Sequence, residues 1–148
     1  MFTRQELLAG LPRLTAADTP PLEVVEFGHQ DFESPCSEQC IWAFRGLKRD
    51  FPSALLFWVK TLQAQGWEGR ESHFVQYAEA GQCEPITASE FAGLVAEYGR
   101  SLQQLLPPYL LDLGEFRSGL RMYADWNDVA AVAELPEAFV AYYWSTTA

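Results

Sequence analysis

The chain reads as a single α+β domain with a C-terminal three-stranded antiparallel meander, one or two further strands, and about four helices packed on one face of the sheet. Three observations predict that class. Apolar residues recur at helical spacing in four segments of the first two-thirds of the chain. From Phe116 onward the period changes to two. The 148 residues match one domain, with 49% hydrophobic and 14% aromatic residues to fill one core. No repeat, low-complexity tract or linker divides it, so residues 1–148 are taken as one unit.

Taken in order, Thr3 and Glu6 have the spacing of a capping box, and Gly10 and Pro12 follow as stop signals, which predicts a short first helix. Two prolines keep the connector TAADTPP, residues 15–21, from being helical throughout. LEVVEF, residues 22–27, carries adjacent valines and predicts a strand.

Ser34 and Pro35 form an N-cap and first-turn pair, and Cys36, Cys40, Ile41, Phe44 and Leu47 follow at helical spacing. A second helix is expected from about Pro35 to Leu47. Pro52 and Ser53 open SALLFWVKTLQAQ, closed by Gly66. Its apolar stretch Ala54–Val59 fits a helix buried on several sides or a central strand.

HFVQYAEA, residues 73–80, is expected to be a strand ending at a Gly81-Gln82 turn. Thr87 and Glu90 repeat the capping-box spacing. Phe91, Leu94, Val95, Tyr98, Leu102, Leu105 and Leu106 then predict a helix up to Pro107-Pro108. In the meander, Phe116, Ser118, Leu120, Met122 and Ala124 share one face, opposite Arg117, Arg121, Tyr123 and Asp125. Turns at Asn127-Asp128 and Pro136-Glu137 separate VAAVAEL from AFVAYYWST.

Charge restricts the possible partners. The formal net charge is −10, from 20 acidic against 10 basic residues. Three stretches hold no lysine or arginine: Asp18 to Glu38, Glu71 to Glu97, and Asp125 to Glu137. Nucleic-acid affinity depends on basic side chains displacing counterions, so nucleic acid is not an expected partner, whereas a basic protein would be steered towards this surface. No stretch approaches the 18 apolar residues of a membrane span, and the N-terminus lacks a signal-peptide pattern. Three cysteines without an export signal fit reduced thiols in the cytoplasm.

Two chemistries are conceivable at FGHQDFESPCSEQCIW, residues 27–42. His29, Cys36, Cys40 and Cys83 include the donor types of a zinc site, but not its tight knuckle spacing. Cys36, in the first turn of the expected helix, could be a nucleophile with His29 as base and Asp31 as orienter. The plainer alternative is a loop leading into a packed helix, with buried cysteines acting as small apolar residues. No phosphate loop, dinucleotide fingerprint, H-E-x-x-H or G-x-S-x-G motif occurs, and no cofactor is expected.

The expectation is therefore a non-enzymatic, acidic protein-binding module. It would be an immunity- or antitoxin-type inhibitor that occludes a basic toxin or enzyme. The expected contact residues are Tyr142 and Trp144, bordered by Asp125, Trp126, Asp128, Glu134 and Glu137, with Asp31 and Glu33 in the first acidic stretch. Alternatively, helices cover both sheet faces and these rings are core. A thiol- or zinc-dependent enzyme centred on Cys36 and His29, and a self-associating protein that pairs through its C-terminal strand as a homodimer, are the competing expectations.

Overall fold

The computed structural model describes residues 1–33 and 38–147. Six strands form one antiparallel sheet in the order β1-β2-β6-β5-β4-β3. They are β1 (Glu23–Phe27), β2 (Gln39–Leu47), β3 (Glu84–Ile86), β4 (Ser118–Asp125), β5 (Asp128–Glu134) and β6 (Ala138–Thr146). The helices are α1 (Arg4–Ala16), α2 (Ala54–Gln63), α3 (Glu71–Glu79), α4 (Ala88–Tyr98) and the short α5 (Pro108–Leu111). This is an α+β domain.

Its two faces are both covered, which corrects the expectation of helices on one face. On one face Phe44, Ala130, Val132, Phe139, Ala141 and Tyr143 pack against Leu7 and Leu11 of α1, Phe57 and Trp58 of α2, and Phe74 of α3. On the other, Ile41, Ala43, Ala131, Val140 and Tyr142 meet Phe91 and Val95 of α4 and Leu110 of α5. A sheet buried on both sides explains the near-continuous apolar runs of β2, β5 and β6.

The meander forms with the strands and turns expected. β4 and β5 close through Asp125 opposite Asp128, and β5 and β6 through Glu134 opposite Phe139. One side-chain assignment changes. The register shifts between Arg121 and Tyr123, and this irregularity sends Met122 and Tyr123 into the same core layer, where strict alternation would have separated them.

Several expected elements differ. The region from about Pro35 to Leu47 is not helical over its described part. Gln39–Leu47 is a strand paired with β1 on one side and with nine residues of β6 on the other. Its apolar residues serve two core layers, Trp42 and Phe44 one way and Ile41 and Ala43 the other, and so mimicked a helical stripe. The Ser34-Pro35 cap and Cys36 lie outside the described residues.

Residues 73–80, expected as a strand, fall largely in α3. Phe74 and Ala78, four apart, are its buried residues. The first helix continues through Pro12 to Ala16, because Leu7, Leu11 and Leu14 form one buried stripe. Burying Leu11 and Leu14 is worth roughly 3–6 kcal/mol, which matches or exceeds the roughly 3 kcal/mol cost of an internal proline. Lys60 of α2, itself buried, donates to Thr15 O and Ala17 O and so satisfies carbonyls at the end of α1.

α4 ends at Tyr98, short of the expected Leu106. Beyond Gly99 the backbone pairs elsewhere: Ser101 O accepts from Glu33 N–H at 2.8 Å, and Gln103 N–H donates to Asp31 O at 2.9 Å. Those bonds replace helical ones. They leave Leu105 88% exposed. Finally, β6 is internal, flanked by β2 and β5. The C-terminal strand is therefore no edge and cannot pair two copies as expected.

Candidate functional site

At the β4–β5 turn, Trp126 and Asn127 connect the closing residues Asp125 and Asp128, and Thr146 N–H donates to Asn127 O at 3.1 Å, tying the tip to the end of β6. Trp126 is 74% exposed. An indole this exposed contributes almost nothing to the core.

Behind the tip lies a rigid support. Tyr77 Oη donates to Asp128 Oδ1 at 3.0 Å. The Tyr77 ring stacks on Tyr123, with centroids 4.2 Å apart, and lies 5.5 Å from Trp67. Tyr123 Oη donates to Tyr77 O at 2.5 Å. The aromatic chain continues through Trp58, Tyr143 and Phe44 to Trp42. Most of the aromatic content is thus a wall inside one core layer.

The two aspartates differ in setting. Asp125 is exposed, whereas Asp128 is half-buried. Burial pushes the Asp128 carboxyl up to about 6, the neighbouring Asp125 charge pushes the same way, and the Tyr77 hydrogen bond opposes both. No cation lies within ion-pair distance of Asp125, Asp128 or Glu38 among the described residues. The three ion pairs among the described residues are Arg45–Glu23, Lys48–Glu134 and Arg121–Glu84. Glu38 precedes β2, whose first residue Gln39 pairs with Thr146, and it accepts from the Thr147 hydroxyl. This places a third carboxylate at the same end of the sheet.

The expected contact residues therefore do not form one patch. Asp125, Trp126 and Asp128 come together at the tip. Tyr142 is fully buried in the layer under α4 and α5, which rules it out as a surface contact. Trp144 is half-buried, packs on Tyr98 at 4.7 Å and donates its indole N–H to Gln39 Oε1 at 2.9 Å. It packs in the opposite core layer, the one under α4 and α5.

Glu134 and Glu137 lie at the far end of β5, six residue steps or roughly 20 Å from Asp128. Glu134 is moreover neutralised by Lys48 at 2.6 Å, whose hydrogen bond holds its carboxyl below the usual range. Asp31 bridges two loops, accepting from Gly28 N–H at 2.9 Å and from Gln104 Nε2 at 2.6 Å. Glu33 is exposed beside it.

Of the four candidate zinc donors, Cys36 lies outside the described residues, and the structure keeps Cys40 and Cys83 apart. Cys40 lies on the second strand of the sheet order and Cys83 precedes the sixth, four strand spacings or roughly 19 Å away. Among the described residues no three His, Cys, Asp or Glu side chains are grouped to hold a metal. His29 and Cys40 do border one open cleft with Glu26 and Glu38. Burial and then Glu26 raise the Cys40 thiol, and burial pushes Cys83 up to about 11 against the pull of Arg4. Both shifts oppose thiolate formation.

Two features escaped the sequence. Tyr77 has no local signal, since its partner is 51 residues away. The positive φ of Glu38, 50°, is equally silent. Among the described residues no helix is long and apolar enough to cross a membrane. Compared with known proteins, the chain matches no protein-family model, no curated protein and no solved structure.

Proposed function

We propose that this chain is a non-enzymatic protein-binding module of the immunity- or antitoxin-inhibitor type, and that it engages a basic partner through the β4–β5 tip. The observation that carries this reading is Trp126, 74% exposed on a braced turn between two carboxylates that have no cationic partner among the described residues. Binding hot spots favour a large ring that a partner pocket can desolvate, with charge around it to steer the encounter. The stacked support beneath Asp128 presents the tip in one geometry, which reduces the entropy lost on binding.

The test uses the products of the genes adjacent to this one, taken as partners in calorimetric titrations at 50 and 500 mM NaCl. A basic partner should bind, weaken at high salt, and lose at least tenfold in affinity with Trp126→Ala or with Asp125→Asn/Asp128→Asn. Equal binding by Trp126→Ala, or no partner among those products, would sink the reading.

A further inference from the structure

The two edges of the sheet are built differently. β3 is only three residues long and carries Pro85, which has no N–H to offer a new strand. β1, EVVEF, has neither proline nor lysine, and its register with β2 is regular over all five residues. Glu23, Val24 and Glu26 are exposed, with Val24 at 43%. Edges of this kind are normally blunted by a charge pointing inward, a bulge or a cover.

Beside β1 runs an open groove of about 540 Å³ lined by Val25, Phe27, Leu105, Leu106, Pro107 and Leu111. Leu105 and Leu111 are 88% and 60% exposed, the largest values among the exposed aliphatic residues. Val25 and Phe27 belong to the core layer on the groove side. Alternation turns Val24 and Glu26 to the other face. On the groove face Glu23 is paired with Arg45, and the lining also includes Gln104 and Asp112, so an added strand would meet a mainly apolar trough on that face and the Glu26 carboxylate on the other.

We propose that β1 is a docking edge for an extended segment of another protein in which apolar residues alternate with lysine or arginine. The apolar side chains enter the Leu105–Leu111 groove, and the basic ones face Glu26, which has no ion-pair partner among the described residues. Backbone hydrogen bonds to the open edge supply attraction along the strand, and the alternating side chains select the sequence. Charge selects this occupant over a second copy of the chain: two β1 strands would bring two unpaired Glu26 carboxylates, beside two Glu23 paired with Arg45, to one seam of a molecule whose net charge is already −10. This surface is separate from the Trp126 tip and does not depend on it.

The test follows backbone amide resonances of the full chain titrated with an acetylated, amidated peptide of alternating lysine and valine, seven residues long. The amides of 23–27 should shift and become protected from exchange. Leu105→Ser/Leu111→Ser and Val24→Lys, all at exposed positions, should each weaken binding at least tenfold. Their spectra should otherwise match the parent, and Trp126→Ala should bind the peptide normally. The proposal is overturned if a glutamate–valine peptide binds equally well, if the shifts centre on residues 125–128, or if no shift appears at millimolar peptide. Protection of β1 in a dimer formed without peptide would make the occupant a second copy and overturn it as well.

Discussion

Asp128→Asn isolates the energetic consequence of burying a carboxylate at the hairpin tip. The asparagine keeps an oxygen for the Tyr77 hydroxyl 3.0 Å away but carries no charge. In the wild type, burial raises the Asp128 carboxyl from 3.8 to about 6. At roughly 1.4 kcal/mol per pH unit that gap is worth about 3 kcal/mol at most. Partial exposure screens it, so about 1–2 kcal/mol is expected.

The sign follows from where the protons bind. Between about pH 4 and 6 the native state holds a proton that the unfolded state has released, so the wild type loses stability as pH rises through that window. Above pH 6 the deficit is complete. Urea unfolding followed by tryptophan fluorescence at pH 4, 5, 6 and 7.5 measures it. Asp128→Asn should be more stable than wild type by about 1–2 kcal/mol at pH 7.5, with the advantage shrinking towards pH 4. Charge effects elsewhere in the molecule cancel in that difference. An advantage that does not change with pH would refute the reasoning, because it would show that the carboxylate is not differentially charged in the two states.

Three further outcomes are expected. A Cβ at Gly46 would lie 2.5 Å from Phe51 Cε2 and 2.8 Å from Phe57 Cδ1, inside a buried edge-to-face pair, so Gly46→Ala should cost about 2–3 kcal/mol and lower Tm by roughly 5–10 °C in calorimetry. The Tyr142 hydroxyl is buried without a hydrogen-bond partner among the described residues. Tyr142→Phe should therefore leave urea stability unchanged or raise it by up to about 1 kcal/mol. Pro12→Ala restores an N–H within α1, facing the Leu8 carbonyl; removing the roughly 3 kcal/mol cost of the proline, less the roughly 1 kcal/mol by which its stiffness disfavours the unfolded chain, should raise stability by about 2 kcal/mol and Tm by roughly 4–8 °C.

The candidate site was partly legible. Asp125, Trp126 and Asp128 are neighbours in the chain on a turn that local pattern identifies, so bringing them together needed no knowledge of the fold. What separates them from Glu134 and Glu137 is the length of β5, and what removes Tyr142 from the surface is a second layer of helices. Neither can be read from alternation, which assigns a side chain to a face without saying whether that face is covered.

The sequence by itself determined the elements whose signals are local. The capping boxes Thr3–Glu6 and Thr87–Glu90 start α1 and α4, Ser53 starts α2, and two turns order the meander. Tertiary structure alone decided that residues 39–47 are a strand, that α3 is a helix and where the chain goes after α4. A strand buried on both faces has no alternation to distinguish it from a buried helix, and its partner β6 begins 91 positions after Leu47. Gly99 caps α4 and is a local stop signal, but the hydrogen bonds that hold the backbone beyond it, to Asp31 and Glu33, are ones no local pattern encodes. Where the deciding partner lies tens of residues away, the energy that selects a conformation exists only once the chain has folded.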